Sequence, residues 1–127
     1  MPDARPSLYE RVGGEKAIAA LMDAFYDRVF ADPELRPFFE GVSLDRLRRM
    51  QREFFAAALG GPLAYSGRGL GEVHYGRGIR PRHLRRFLDH LFETLTGREV
   101  GEEDAYEVLS RIHTYADEIT GTTTVDG

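Results

Sequence analysis

An all-α domain is predicted for this chain of 127 residues, and two observations predict it. Apolar residues recur with helical spacing through four long segments, and no segment alternates apolar and polar residues as a half-buried strand would. The glycine pairs and the prolines fall at the ends of those segments, where they start or stop a helix without breaking one.

Taken in order, Gly13-Gly14 separates a short first segment, Leu8 to Val12, from a helix predicted over about Glu15 to Phe30. Its stripe is Ile18, Leu21, Met22, Phe25 and Val29, and Tyr26 lies inside it. Asp32-Pro33 is expected to start a short helix, with Asp32 as cap and Pro33 in the first turn, ending at Pro37-Phe38-Phe39. Ser43 caps a helix expected to reach Leu59, with the stripe Leu44, Leu47, Phe54, Phe55 and Ala58. Gln51 stands four residues after Leu47 in that stripe, while Arg46, Arg48, Arg49, Arg52 and Glu53 take the other side. Gly60-Gly61-Pro62 stops the helix. The stretch from Gly60 to Arg80 holds seven of the fourteen glycines and reads as loop, with one helical piece from Leu70 to Tyr75. Pro81 opens a helix with Leu84, Phe87, Leu88, Leu91 and Leu95 on one side. A last helix from Gly101 carries Ala105, Val108, Leu109, Ile112, Ala116 and Ile119. One domain over residues 1–127 is expected, with its ordered core over about 8–119.

Composition narrows the function. Hydrophobic residues make up 42% and charged residues 30%, a balance that reads as soluble and globular. A net charge of −4 disfavours a nucleic-acid partner. Cysteine is absent, which excludes disulfides, zinc-thiolate sites, iron–sulfur clusters and haem attached through Cys-x-x-Cys-His. No apolar run approaches the roughly 18 residues of a membrane helix, and Met1 to Ser7 lacks a signal-peptide core; a cytoplasmic protein is expected. The single lysine, Lys16, stands against sixteen arginines.

Three polar residues stand out. Tyr26 and Gln51 are set into apolar stripes, and His74 sits on a glycine-flanked segment too short to be a stable helix alone. Burying polar groups without partners costs a few kcal/mol each, on the order of 1–3. Each has an ordinary reading: a tyrosine bonding a nearby carbonyl, a glutamine bonded within the core, a solvated loop histidine. Together they point to one shared partner, and a metal-centred cofactor is the natural candidate. Phe38, Phe39, Phe54 and Phe55 read as plain core or as walls of a slot for a flat aromatic group. His83, His90 and His113 read as solvated surface. So do the arginines of the runs Arg46 to Arg52 and Arg80 to Arg86, a few of which could meet carboxylates.

Phe25-Tyr26-Asp27-Arg28-Val29, Ala31-Asp32-Pro33, Phe38-Phe39, the run Gln51 to Pro62, Tyr65-Ser66-Gly67 and Val73-His74-Tyr75-Gly76-Arg77-Gly78-Ile79 occur here in that order. The chain thereby resembles a truncated haemoglobin of the first group, the mycobacterial nitric-oxide-detoxifying type, over about Leu8 to Ile119. The resemblance implies a globin-like two-over-two helical sandwich with most of the proximal helix replaced by loop. It implies haem with His74 as iron ligand and Tyr26 and Gln51 as the distal pair. It places Phe39, Leu47, Phe55, Met50, Arg77, Tyr65 and Ile79 against the cofactor, with Phe55 gating an apolar path. Met50 stands where some relatives have a histidine that binds the iron, so a five-coordinate ferrous iron is implied. About Gly121 stands where others attach haem covalently, so non-covalent haem b is implied. The polar N-terminal extension of the mycobacterial type is here reduced to a few residues.

The resemblance further implies dioxygen, nitric oxide and carbon monoxide as ligands, with slow oxygen release and nitric oxide dioxygenation (NO + O2 to nitrate). An electron-donating reductase would then be needed, and a monomer or homodimer is expected. The alternatives are non-catalytic oxygen binding, storage or gas sensing, and a haem-free helical module in which Tyr26 and Gln51 satisfy each other.

Overall fold

The computed structural model describes residues 6–61 and 79–114, and within them every regular element is a helix. These are α1 (Leu8–Arg11), α2 (Gly14–Ala31), a single 3-10 turn (Arg36–Phe39), α3 (Leu44–Ala58), α4 (Pro81–Gly97) and α5 (Glu102–His113). Helix α2 packs on α3 and α4, α4 packs on α5, and α1 touches both α2 and α5. Two helix pairs, α2 with α3 and α4 with α5, are thus joined through α2 and α4.

Local chemistry explains the boundaries. Ser7 and Glu10 form a reciprocal capping box at α1. Ser43 Oγ accepts from Arg46 N at the start of α3. At its end Gly60 takes φ +85°, and Gly61 N donates to Ala56 O at 2.8 Å. A Cβ on Gly61 would lie 2.7 Å from the Tyr9 ring and 2.9 Å from Ala56 O, so only glycine fits that crossing. There Tyr9 N donates to Leu59 O, tying α1 to the end of α3. Pro81 opens α4, and His83 Nδ1 accepts from Arg80 N at 2.9 Å.

The predicted stripes supply the core. Ile18, Leu21, Met22, Phe25 and Val29 of α2 are buried with Phe55 and Leu59, Leu91 and Leu95, and Ala105, Val108 and Ile112. Each large apolar side chain in this set contributes on the order of 1.5–3 kcal/mol. Thr94, buried among them, is satisfied by donating to His90 O at 2.7 Å.

Two boundaries differ from expectation. Asp32 does not start a helix: α2 ends at Ala31, a turn follows, and the 3-10 turn begins only at Arg36. Asp32 nevertheless caps that turn, its Oδ1 accepting from Glu34 N at 2.9 Å. Leu44, expected in the stripe of α3, is 43% exposed at the first position of that helix. The helical piece expected from Leu70 to Tyr75 lies outside the described residues.

Candidate functional site

Tyr26 is delivered by the middle of α2 into an aromatic nest. Its ring lies 5.0 Å from Phe25, 5.6 Å from Phe30, 6.0 Å from Phe39 and 6.4 Å from Phe87, measured between centroids. The side chain is fully buried. Burial drives the phenol pKa well above the ordinary tyrosine range, opposed only in part by the positive charge of Arg48. Tyr26, a neutral phenol at physiological pH like any tyrosine, thus presents its O–H in an apolar setting. Among the described residues no hydrogen bond joins it to the Gln51 amide, against the reading in which the two satisfy each other.

Gln51 stands on α3, the helix packed against α2, and is half-buried, as are Leu47 and Met50. Leu47 packs on the core cluster, and Phe54 and Phe55 are buried in it. Phe55 meets Phe25 edge-on at 6.4 Å and Phe54 at 5.7 Å. The pair Phe38-Phe39 splits: Phe39 meets Tyr26 and Phe30, whereas Phe38 turns to the His83 ring at 4.7 Å. Ile79 is half-buried just before α4. His74, Tyr65 and Arg77 lie outside the described residues. Two of the three polar residues singled out from sequence are thus on a contacting helix pair, with Phe39 against one of them.

Three charged features were not foreseen. Arg48 does not join the solvated side of α3. Its Nη1 lies 2.8 Å from Asp23 Oδ1, its Nη2 3.5 Å from Asp27 Oδ1, and its guanidinium 5.9 Å over the Phe30 ring. His90, expected to be solvated, places Nε2 2.8 Å from Asp32 Oδ2, and its Nδ1 is buried without a partner among the described residues. Arg86 completes that cluster, Nε lying 2.9 Å from Asp32 Oδ2 and 3.2 Å from Glu34 Oε2. His83 is half-buried rather than solvated, and burial with the charge of Arg82 holds its pKa below the ordinary histidine value. His113 is exposed as expected. The missed signal was an aspartate pair at i, i+4, Asp23 and Asp27, which invites a cation from a neighbouring helix.

The element order and the joined helix pairs define a globin-type domain, built around a buried phenol where α2, the 3-10 turn and α4 meet. The family described as Bacterial-like globin matches residues 7–121. The chain is 44% identical over 113 residues to the Group 1 truncated hemoglobin GlbN of Mycolicibacterium paratuberculosis, covering 89% of this chain and 83% of that one. It is 34% identical over 99 residues to the Group 1 truncated hemoglobin of Tetrahymena pyriformis, covering 78% and 80%. The crystal structure of the truncated hemoglobin from Tetrahymena pyriformis in the Fe(III) form superposes with a TM-score of 0.87 at 29% identity, over 90% of this chain and 97% of that one. The chain belongs to the bacterial-like globin family, and it has the two-over-two fold of the truncated haemoglobins. As a globin of this family it binds haem and gases such as oxygen. No described helix is long and apolar enough to cross a membrane.

Proposed function

We propose that this globin holds dioxygen at a haem iron ligated by His74 and consumes nitric oxide by dioxygenating it to nitrate. The observation that carries the reading is Tyr26: a neutral phenol buried on a wall of phenylalanines, with the half-buried Gln51 on the packed neighbouring helix. That donor set fits haem. A flat aromatic group needs ring walls, and a gas that takes on negative charge needs neutral donors that bring no proton-transfer chemistry of their own.

Haem, when bound, supplies an iron that takes a diatomic gas and changes oxidation state. The chain's own residues do the rest. With haem in place, the Tyr26 hydroxyl and the Gln51 amide N–H would donate to a gas that takes on negative charge. Each bond contributes on the order of 1–3 kcal/mol, because the acceptor is charged and the setting is dry. Phe39 and Leu47 would keep water from the gas, and an apolar way in for both gases would pass Phe55, Ala58 and Leu91, all packed in or against the core. Met50 brings no imidazole that would compete with a gas for an iron. Haem would sit without a covalent bond, since glycine stands at about 121, with Tyr65, Arg77 and Ile79 as the residues that would hold it. Turnover needs an electron donor, a separate reductase. Slow oxygen release suits a protein that waits for nitric oxide better than one that delivers oxygen.

Two measurements test this. The purified protein is expected to show a strong Soret band and a five-coordinate ferrous spectrum, both lost in His74→Gly. In stopped flow, the oxygenated protein is expected to form nitrate on mixing with nitric oxide faster than the Tyr26→Phe, Gln51→Ala variant; equal rates would sink the dioxygenase reading.

A further inference from the structure

Asp23, Tyr26, Asp27 and Phe30 are spaced i, i+3, i+4, i+7 and form one stripe along α2. Arg48 of α3 touches three of the four: Asp23 at 2.8 Å, Asp27 at 3.5 Å and the Phe30 ring at 5.9 Å. Phe30 in turn packs 5.6 Å from the Tyr26 ring. Gln51 follows Arg48 by three residues, on the adjoining face of the same helix. We propose that Arg48 is a positioning residue for the ligand-holding pair: by gripping the stripe that carries Tyr26, it fixes how α3 presents Gln51 beside the phenol.

The proposal deepens the haem reading above and rests on it. Two carboxylates at i, i+4 repel, and a cation from the facing helix reverses that, adding a polar grip to the apolar packing of α2 on α3. The side chain of Arg48 is 26% exposed, against 65% and 76% for Asp23 and Asp27, so the cation is the inner member of the group. Arginine suits the task better than lysine, because a planar fork reaches two carboxylates while its face rests on a ring. Its charge also reaches the phenol, making the hydroxyl a stronger donor than burial alone would leave it.

The experiment measures release of oxygen and of carbon monoxide from the haem-loaded full chain, with the C–O stretching frequency of the carbon monoxide form. Arg48→Met is expected to release oxygen about fivefold faster, as loss of a well-placed ion pair would allow, and Arg48→Lys to be intermediate. Carbon monoxide release is expected to stay within about twofold, because that ligand accepts weakly from donors. The C–O frequency should rise as the donors draw away. Raising salt to about 1 M should speed oxygen release in the native protein and leave Arg48→Met unchanged, because screening acts only where the pair exists. Should Arg48→Met not fold, the Asp23→Asn, Asp27→Asn variant decides, since it alters only exposed groups and is expected to speed oxygen release likewise. Oxygen release within twofold of native in these variants, or equal acceleration of both gases, overturns the proposal and leaves the haem reading standing. A native protein without a Soret band overturns both.

Discussion

Six residues apart on α2 and just beyond its end, Tyr26 and Asp32 are both buried polar groups, and they meet burial in opposite ways. Tyr26 is surrounded by rings, and burial dominates: the phenol pKa rises and the proton stays. Asp32 is 4% exposed, yet its carboxyl pKa is held well below the usual range. The Arg86 hydrogen bond is the largest cause, burial opposes it, and bonds from His90 and Glu34 N add to it. Desolvation sets the same penalty on any charge, and the partners decide whether the group keeps it. A donor for a reactive ligand has to be left without a tight partner. A structural anchor is the opposite: Asp32 accepts from every side and ties the end of α2 to α4.

Breaking the Tyr26 side has the largest effect. Tyr26→Phe with Gln51→Ala is expected to speed oxygen release about a hundredfold, from the loss of two charge-assisted bonds, and to move carbon monoxide release far less. Urea unfolding of the same variant should show little loss of stability, which separates function from packing.

Breaking the Asp32 side should do the reverse. Asp32→Ala is expected to cost about 2–3 kcal/mol in urea unfolding, leaving His90 without its partner and Arg86 with the exposed Glu34 alone. Oxygen release should change little if the two regions are as separate as their chemistry. The linkage gives an independent check. A carboxyl whose pKa is lowered by folding contributes stability above its unfolded pKa, about 4, and that stability fades as pH falls toward the lower folded value. The native protein should thus lose stability below about pH 4 more steeply than Asp32→Asn, whose curve lacks this component. Parallel curves would mean the anchor is not charged. Smallest of all, Leu44→Ser should stay within about 0.5 kcal/mol, since that leucine is 43% exposed.

What could be read in advance follows from the range of the interactions. Helices α2, α3, α4 and α5 were legible because their stripes repeat within a few residues. Tyr26 and Phe55 were legible as buried because they lie inside those stripes. The charged contacts were not, because their partners are remote in sequence. Asp32 meets Arg86 and His90 across 54 and 58 residues, and Arg48 meets Asp23 across 25. Polar periodicity cannot tell an arginine in water from one gripping a neighbouring helix. The Asp-Pro pair pointed to a helix start because aspartate is a common cap. The carboxylate instead caps a turn with one oxygen and spends the other on α4.

The contact between α1 and α5 carries a consequence for how the chain folds. Arg11 of α1 pairs with Asp104 at 2.6 Å and with Glu107 at 3.3 Å, so α1 is clasped by α5. Arg11 and Asp104 are 93 residues apart, and closing so long a loop comes after the local helix pairs have formed. During synthesis α1 can meet α2 and the end of α3 first, and the Arg11 clasp closes only once α5 has emerged. Arg11→Ala should hasten unfolding while leaving the folding rate near native. On that expectation the clasp acts as a latch on the finished protein.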